Sequence, residues 1–250
     1  MDTILRVANH RNIIRVVAMD DTLPTMPIMM EAGSGDMNNI IESASISMQR
    51  KIRLLFGAAC GLYHMHCKGK VHRDVKAGNI IIIGGPAETT LESRIADFGL
   101  SCDFGHLTPE KTGTAGYTPL ENLLCTTESG PDGDVFSFAV LILLVFIRPE
   151  LRAPHMFAHP RLFLEGELAE RTAIRERKKP NEEFLFEYRV MERSLYDGSF
   201  REAFLRSKKL QKTVPHRRFV CDFLEECLSP HRCERPTMEN VARMLRSLKM

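Results

Sequence analysis

The apolar and polar positions of this chain follow two different periods. Ile13 to Ala18 and Pro27 to Glu31 are short runs rich in β-branched and apolar residues, and Asp20-Asp21-Thr22-Leu23-Pro24 between them has turn chemistry. They predict an antiparallel pair of strands. From Ser47 to Cys67 the spacing changes to three and four, with Met48, Ile52, Leu55, Ala59, Leu62, Tyr63 and His66 on one stripe. That pattern predicts a helix burying one face. Ser45 or Ser47 can cap its start, and Gly69 suits its end. Ile80 to Ile83 is a wholly apolar strand, and Arg94-Ile95-Ala96 predicts its partner across a loop rich in Gly, Pro, Thr and Glu.

From Asp132 onward the pattern is helical. Asp132 and Asp134 sit where acidic residues favour a helix start, and Val135 to Ile147 is apolar on nearly every side. This run is shorter than the roughly 18 to 20 residues that span a bilayer, so it reads as a buried helix. Arg217 to Leu228 and Thr237 to Lys249 predict two further amphipathic helices. Arg148 to Pro215 is charged and weakly periodic, which predicts helices but no chemistry. No repeat or low-complexity linker divides the 250 residues, and the mixture of elements is that of one α+β domain.

Composition narrows the range of partners. A formal net charge of +2 argues against nucleic acid or an anionic membrane as the main partner, and the basic run Arg206 to Arg218 reads as a solvated face. With no secretory pattern at the start, and seven cysteines without a Cys-x-x-Cys pair, the chain reads as a soluble cytoplasmic protein with reduced thiols.

The chemistry lies between the predicted helix and the apolar hairpin. Val71-His72-Arg73-Asp74-Val75-Lys76-Ala77-Gly78-Asn79 is followed, after one strand and its partner, by Ala96-Asp97-Phe98-Gly99. These segments resemble the catalytic loop and the metal loop of protein kinases. The resemblance implies a kinase-like fold and phosphoryl transfer from ATP to protein hydroxyls, which needs phosphate, metal and acceptor held in line. It makes Asp74 the base that receives the hydroxyl proton and Lys76 the group that steadies the transferred phosphate. A lysine there is typical of kinases acting on serine and threonine. Asn79 and Asp97 offer the oxygen ligands that Mg²⁺ prefers. His72 and His66 have roles in this reading, so His64, His66, Cys67 and His72 are not taken as a zinc site despite their ligand chemistry.

Further motifs extend the resemblance from about Leu5 to Leu248. Gly113-Thr114-Ala115-Gly116-Tyr117-Thr118-Pro119-Leu120-Glu121 is similar to the segment that docks peptide substrates, with Thr114 and Tyr117 as its contact residues. Glu121 falls where the family pairs a carboxylate with an arginine, which Arg235-Pro236-Thr237 supplies. Asp134 falls where an aspartate anchors the catalytic-loop backbone. Arg73 marks kinases controlled by phosphorylation in the segment before Glu121, making Thr108 and Thr112 candidate sites. Met30 falls at the gatekeeper position, Glu31 and Ala32 at the hinge that binds adenine, and Leu5 where an apolar residue packs on Phe98. A second triplet, Asp103-Phe104-Gly105, is read as a coincidence, because only the first directly follows a predicted strand.

The departures are two. The docking segment ends Pro119-Leu120-Glu121 rather than Ala-Pro-Glu, and nothing before His10 matches the glycine-rich loop or the ATP-anchoring lysine. Residues 1–32 then read as a remnant of the small lobe with the hinge, and 33–250 as the large lobe, with an insert-like stretch at about 148–215. One expectation is an active serine/threonine kinase whose front is missing from this sequence. The other is a catalytically impaired binding or scaffold module that engages another kinase, a substrate, or a chain completing the small lobe. A small-molecule phosphotransferase fits less well, because Gly113 to Glu121 is a peptide-docking segment.

Overall fold

The computed structural model describes residues 7, 9–19, 27–85, 91–107, 113–114, 116–119, 121–122, 128–147, 195–207 and 212–248. Strands β1 (Val16–Met19) and β2 (Ile28–Met30) form an antiparallel pair. They are followed by β3 (Gly35–Asp36), α1 (Met37–Glu42), α2 (Met48–Cys67), β4 (Lys70–Val71), β5 (Ile80–Ile83), β6 (Glu92–Ile95) and β7 (Cys102–Asp103). Helices α3 (Pro131–Ile147), α4 (Ser199–Arg206), α5 (Arg217–Cys227) and α6 (Met238–Ser247) complete the described elements of an α+β fold. β3, β5 and β6 make an antiparallel sheet in that order, and β4 pairs antiparallel with β7. Among the described residues, no helix is long and apolar enough to cross a membrane.

The hydrophobic effect organises these elements around α2 and α3. Ser47 caps α2, its hydroxyl accepting from Arg50 N at 3.3 Å, and Thr237 caps α6 in the same way through Asn240 N. Ile52, Leu55, Ala59 and Leu62 are buried as the spacing predicts. Tyr63 is not: it lies on the rim, 36% exposed, while Leu54, Ala58 and Met65 are buried instead. α2 is covered by β6 on one side and by α3 and α6 on others, so its buried arc is wider than one stripe and turned away from Tyr63. α3 is buried along nearly its full circumference, from Val135 through Phe146.

Ile13 also departs from its expected role. Instead of opening β1 it makes a parallel bridge to Ile95 of β6, with Ile14 N donating to Ile95 O at 2.9 Å and Ile95 N to Asn12 O at 2.8 Å. Asn12 adds a side-chain bond to Ser93 O, and Ser93 Oγ donates to Leu54 O of α2. The backbone can come this close to α2 only because position 61 is glycine. A Cβ there would stand 2.5 Å from Asn12 O and 2.9 Å from Ile95 Cγ1. Among the described residues β1 and β2 have no comparable cover, and Val17 and Met29 are 56% and 63% exposed.

Of the stretch 148–215, α4 is described, with Phe200 and Phe204 buried against the core; 148–194 and 208–211 lie outside the described residues, as do Leu5, Thr108 and Thr112. The close approach at Gly61 generates a test. Gly61→Ala gains helix propensity but drives its methyl into backbone oxygen, and should lower unfolding free energy by about 1–3 kcal/mol in urea titration.

Candidate functional site

The loop from Val71 to Asn79 is short of regular backbone hydrogen bonds, and a side chain supplies what is missing. Asp134, in the first turn of α3 and 1% exposed, accepts from His72 N at 2.8 Å through Oδ2 and from Arg73 N at 2.9 Å through Oδ1. His66 Nε2 stands 2.9 Å from the same Oδ2. Burial alone raises the Asp134 pKa, but hydrogen bonding to His66, the nearby imidazoles and the backbone donor of His72 outweigh it and hold the carboxyl below its ordinary value. This anchoring lets Arg73 keep a left-handed conformation, φ 68°.

His72 fixes the next two segments. Asp74 N donates to its Nδ1 at 3.3 Å, so Nε2 carries the proton and donates to Ala96 O at 3.0 Å. The ring also lies 5.7 Å from that of Phe98. The loop containing Asp74 and the loop containing Asp97 are thus joined through one imidazole. A second tie is the bond from Ala96 N to Asn79 O at 2.9 Å.

The Asp74 carboxylate is the centre of the site. Oδ1 accepts from Thr114 Oγ1 at 2.5 Å, and Oδ2 from Lys76 Nζ at 2.7 Å and Asn79 Nδ2 at 3.0 Å. Lys76 Nζ also donates to Thr114 Oγ1 at 2.8 Å, and Asn79 Nδ2 to Asp74 O at 2.9 Å. Burial pushes the Asp74 pKa up, but the bonds from Lys76, Thr114 and Asn79 prevail and keep it below the ordinary carboxylate range. The group is therefore ionised near neutral pH and aimed by donors that also limit its motion. Tyr117 accepts from Ala77 N through its phenol oxygen at 3.2 Å, bracing the short 3₁₀ turn Ala77–Asn79.

Asp97 stands at the other side, exposed and left-handed at φ 62°, with Gly99 N donating to its Oδ1 at 3.3 Å. Since the Asn79 nitrogen is committed to Asp74, its amide presents oxygen as a ligand atom. Farther out, Arg235 makes two bonds to Glu121, at 2.5 and 3.2 Å, and Arg235 Nε donates to Ser229 O. The guanidinium lies 5.0 Å over the Phe136 ring. Both side chains are nearly or fully enclosed.

At the hinge-like stretch, Met30 ends β2 and is 43% exposed, and Glu31 is engaged with its neighbours. Glu31 N donates to Arg15 O, its carboxylate accepts from Arg15 N at 2.8 Å, and Arg94 Nη1 is 3.1 Å away. Ala32 follows without a regular element. Four residues near the site make contacts that the sequence pattern does not disclose. His66 is polar support for Asp134 rather than packing, Lys70 is a buried cation, and Asp103 and Phe104 lie against these two. The repeated triplet was the available signal for the last pair.

Comparison with known proteins agrees with this geometry. The family model described as Protein kinase domain matches residues 2–245. A leucine-rich-repeat receptor-like serine/threonine-protein kinase of Arabidopsis thaliana is 31% identical over 156 residues, and an L-type lectin-domain containing receptor kinase of the same plant is 35% identical over 126 residues. A serine/threonine-protein kinase of Drosophila melanogaster is 26% identical over 164 residues. The matches cover 57%, 46% and 62% of this chain, and 17%, 18% and 22% of those proteins. The chain thus spans less than a quarter of the length of these relatives.

The anchoring carboxylate carries a pH signature. Its folded pKa lies below the ordinary 3.8, so its stabilisation is complete above the unfolded value and is lost as pH falls through the folded one. Asp134→Asn keeps the shape but loses the charge and one acceptor, and should cost about 2–4 kcal/mol at neutral pH. Urea titrations from about pH 6 down to pH 3 should show the wild-type advantage shrinking as acid is added.

Proposed function

The chain belongs to the protein kinase family, and on that premise we propose that it transfers the terminal phosphate of ATP to serine and threonine hydroxyls of protein substrates. The observation that carries the reading is the Asp74 carboxylate, ionised and held by Lys76, Thr114 and Asn79 at 2.5 to 3.0 Å. In this reading Asp74 receives the proton of the acceptor hydroxyl while its oxygen bonds phosphorus and ADP leaves. Lys76, already poised at Asp74, balances charge on the transferred group. Thr114 belongs to the segment assigned to docking the peptide, Tyr117 is buried and braces that segment through Ala77 N rather than offering a contact surface, and Glu121 with Arg235 supports it through their ion pair. Arg73 is the cation that a phosphate on Thr108 or Thr112 would meet.

Asn79 and Asp97 are the residues assigned to Mg²⁺. One amide oxygen and one exposed carboxylate fit a hard cation that shares its remaining ligands with phosphate and water. Among the described residues there is no group of three or more His, Cys, Asp and Glu side chains placed to hold a metal alone. When bound, the ion neutralises the phosphates. Met30, Glu31 and Ala32 form the adenine side of the proposed pocket, Glu31 being held in place by Arg15 and Arg94.

A second reading, a kinase-like binding module, is favoured by the exposed apolar residues Val17, Ile28, Met29 and Met30 on β1 and β2. One variant separates the two. Asp74→Asn should reduce phosphate incorporation from labelled ATP and Mg²⁺ into protein acceptors by about 10²-fold or more. Equal incorporation by both forms would overturn the catalytic role of Asp74; no incorporation by either, with the cellular effect retained in the variant, would favour the binding module.

A further inference from the structure

The second triplet, Asp103-Phe104-Gly105, is fastened at every residue. Asp103 lies opposite Lys70 in the antiparallel pairing of β7 with β4, and Lys70 Nζ is 2.9 Å from Asp103 Oδ1. The two side chains are unequally placed: Lys70 is 2% exposed and Asp103 68%. Phe104 N donates to Gly69 O at 3.0 Å, and its ring meets His66 edge-on with centroids 6.2 Å apart. His66 is the imidazole bonded to Asp134, which holds the amides of His72 and Arg73. Gly105, at φ 77°, donates to Ser129 O at 2.9 Å, and Ser129 N returns a bond to His106 O at 3.0 Å. Arg73 Nη1 lies 3.5 Å from Cys102 Sγ, the residue just before the triplet.

An ammonium ion taken out of water is costly unless an anion stays beside it. Lys70 is fixed in the interior by β4 and is not without other contacts, and moving Asp103 away withdraws one counter-charge from this buried cation. A phosphate added to a loop orders it by supplying negative charge to a basic group in the same fashion. Here a carboxylate written into the chain meets a cation next to the catalytic loop.

We propose that Lys70, Asp103 and Phe104 form a permanent latch that holds the segment after Asp97-Phe98-Gly99 against the catalytic loop, so that its alignment does not require a phosphate on that segment. Lys70 and Asp103 are then positioning residues, acting on Asp74 through β4 and through His66 and Asp134. Their bearing on turnover rests on the phosphotransfer reading, whereas the latch itself is a property of the fold.

The test uses the full chain after phosphatase treatment, with hydrogen exchange followed by mass spectrometry in peptides covering 98–107 and in α2 as an internal reference. Wild type should keep its protection at 102–105 after phosphatase. Asp103→Asn should exchange there about tenfold faster with α2 unchanged, and Asp103→Glu should restore protection. Unchanged protection in Asp103→Asn, or loss of protection in wild type on phosphatase treatment alone, overturns the latch. Equal loosening of α2 in Asp103→Asn also overturns it, by making the pair a general stabiliser. Phosphate transfer is measured on the same samples: with protection as expected but no transfer by wild type, the latch stands and the phosphotransfer reading falls.

Discussion

Two oxygen atoms of one buried aspartate hold the loop around Asp74 in shape. Residues 72–76 follow neither helix nor strand, so their amides must find partners outside regular structure or remain unpaired in a low-dielectric interior. Asp134 satisfies His72 and Arg73 together, and does so from the first turn of a helix that is itself enclosed by the core. The stiffness of α3 is passed to a loop that has little of its own. Everything placed by that loop, including the Asp74 carboxylate and the His72 ring, inherits its position from the burial of an apolar helix.

The same balance of burial against hydrogen bonding recurs throughout the site. Asp74 and Asp134 are both partly or wholly withdrawn from water, which favours the neutral acid, and both remain ionised because several donors converge on them. Glu121 and Arg235 solve the problem as a pair, with Ser229 O and the Phe136 ring completing the surroundings of the guanidinium. Such arrangements contribute little net stability over apolar packing but are costly to break, so they specify geometry more than they strengthen it.

Much of this was legible before any coordinates. The helices at 48–67, 217–227 and 238–247 follow from spacing, and the one at 131–147 from its acidic start and continuous apolar run; of the two serines that could cap the first, Ser47 does so. The β5–β6 hairpin and the β1–β2 pair follow from short apolar runs with turn residues between them. What periodicity misjudged were contacts set by tertiary cover: Tyr63 turned to the rim because α2 is packed from several directions, and Ile13 was claimed by β6 rather than by β1. The side chains gathered around Asp74, namely Lys76, Asn79 and Thr114, come from two short motifs that stand out in the sequence. Lys70 does not, because lysine is normally exposed and nothing local discloses that this one is buried and paired with Asp103, thirty-three positions on. His66 was read as packing because its spacing fits a helical stripe, and nothing local discloses that a carboxylate of α3 faces it.

The hydroxyl of Thr114 already donates to Asp74 Oδ1 at 2.5 Å. A carboxylate oxygen can accept a second hydrogen bond, so in the proposed phosphotransfer an incoming alcohol would join a group whose dipolar surroundings are set in advance. In water the same carboxylate would be surrounded by molecules that must turn as its charge is lost to the arriving proton. Here the neighbours that would have to turn are a threonine, a lysine and an asparagine held by the fold. Under that proposal the reorganisation energy of proton transfer is shifted from the moment of reaction to the moment of folding.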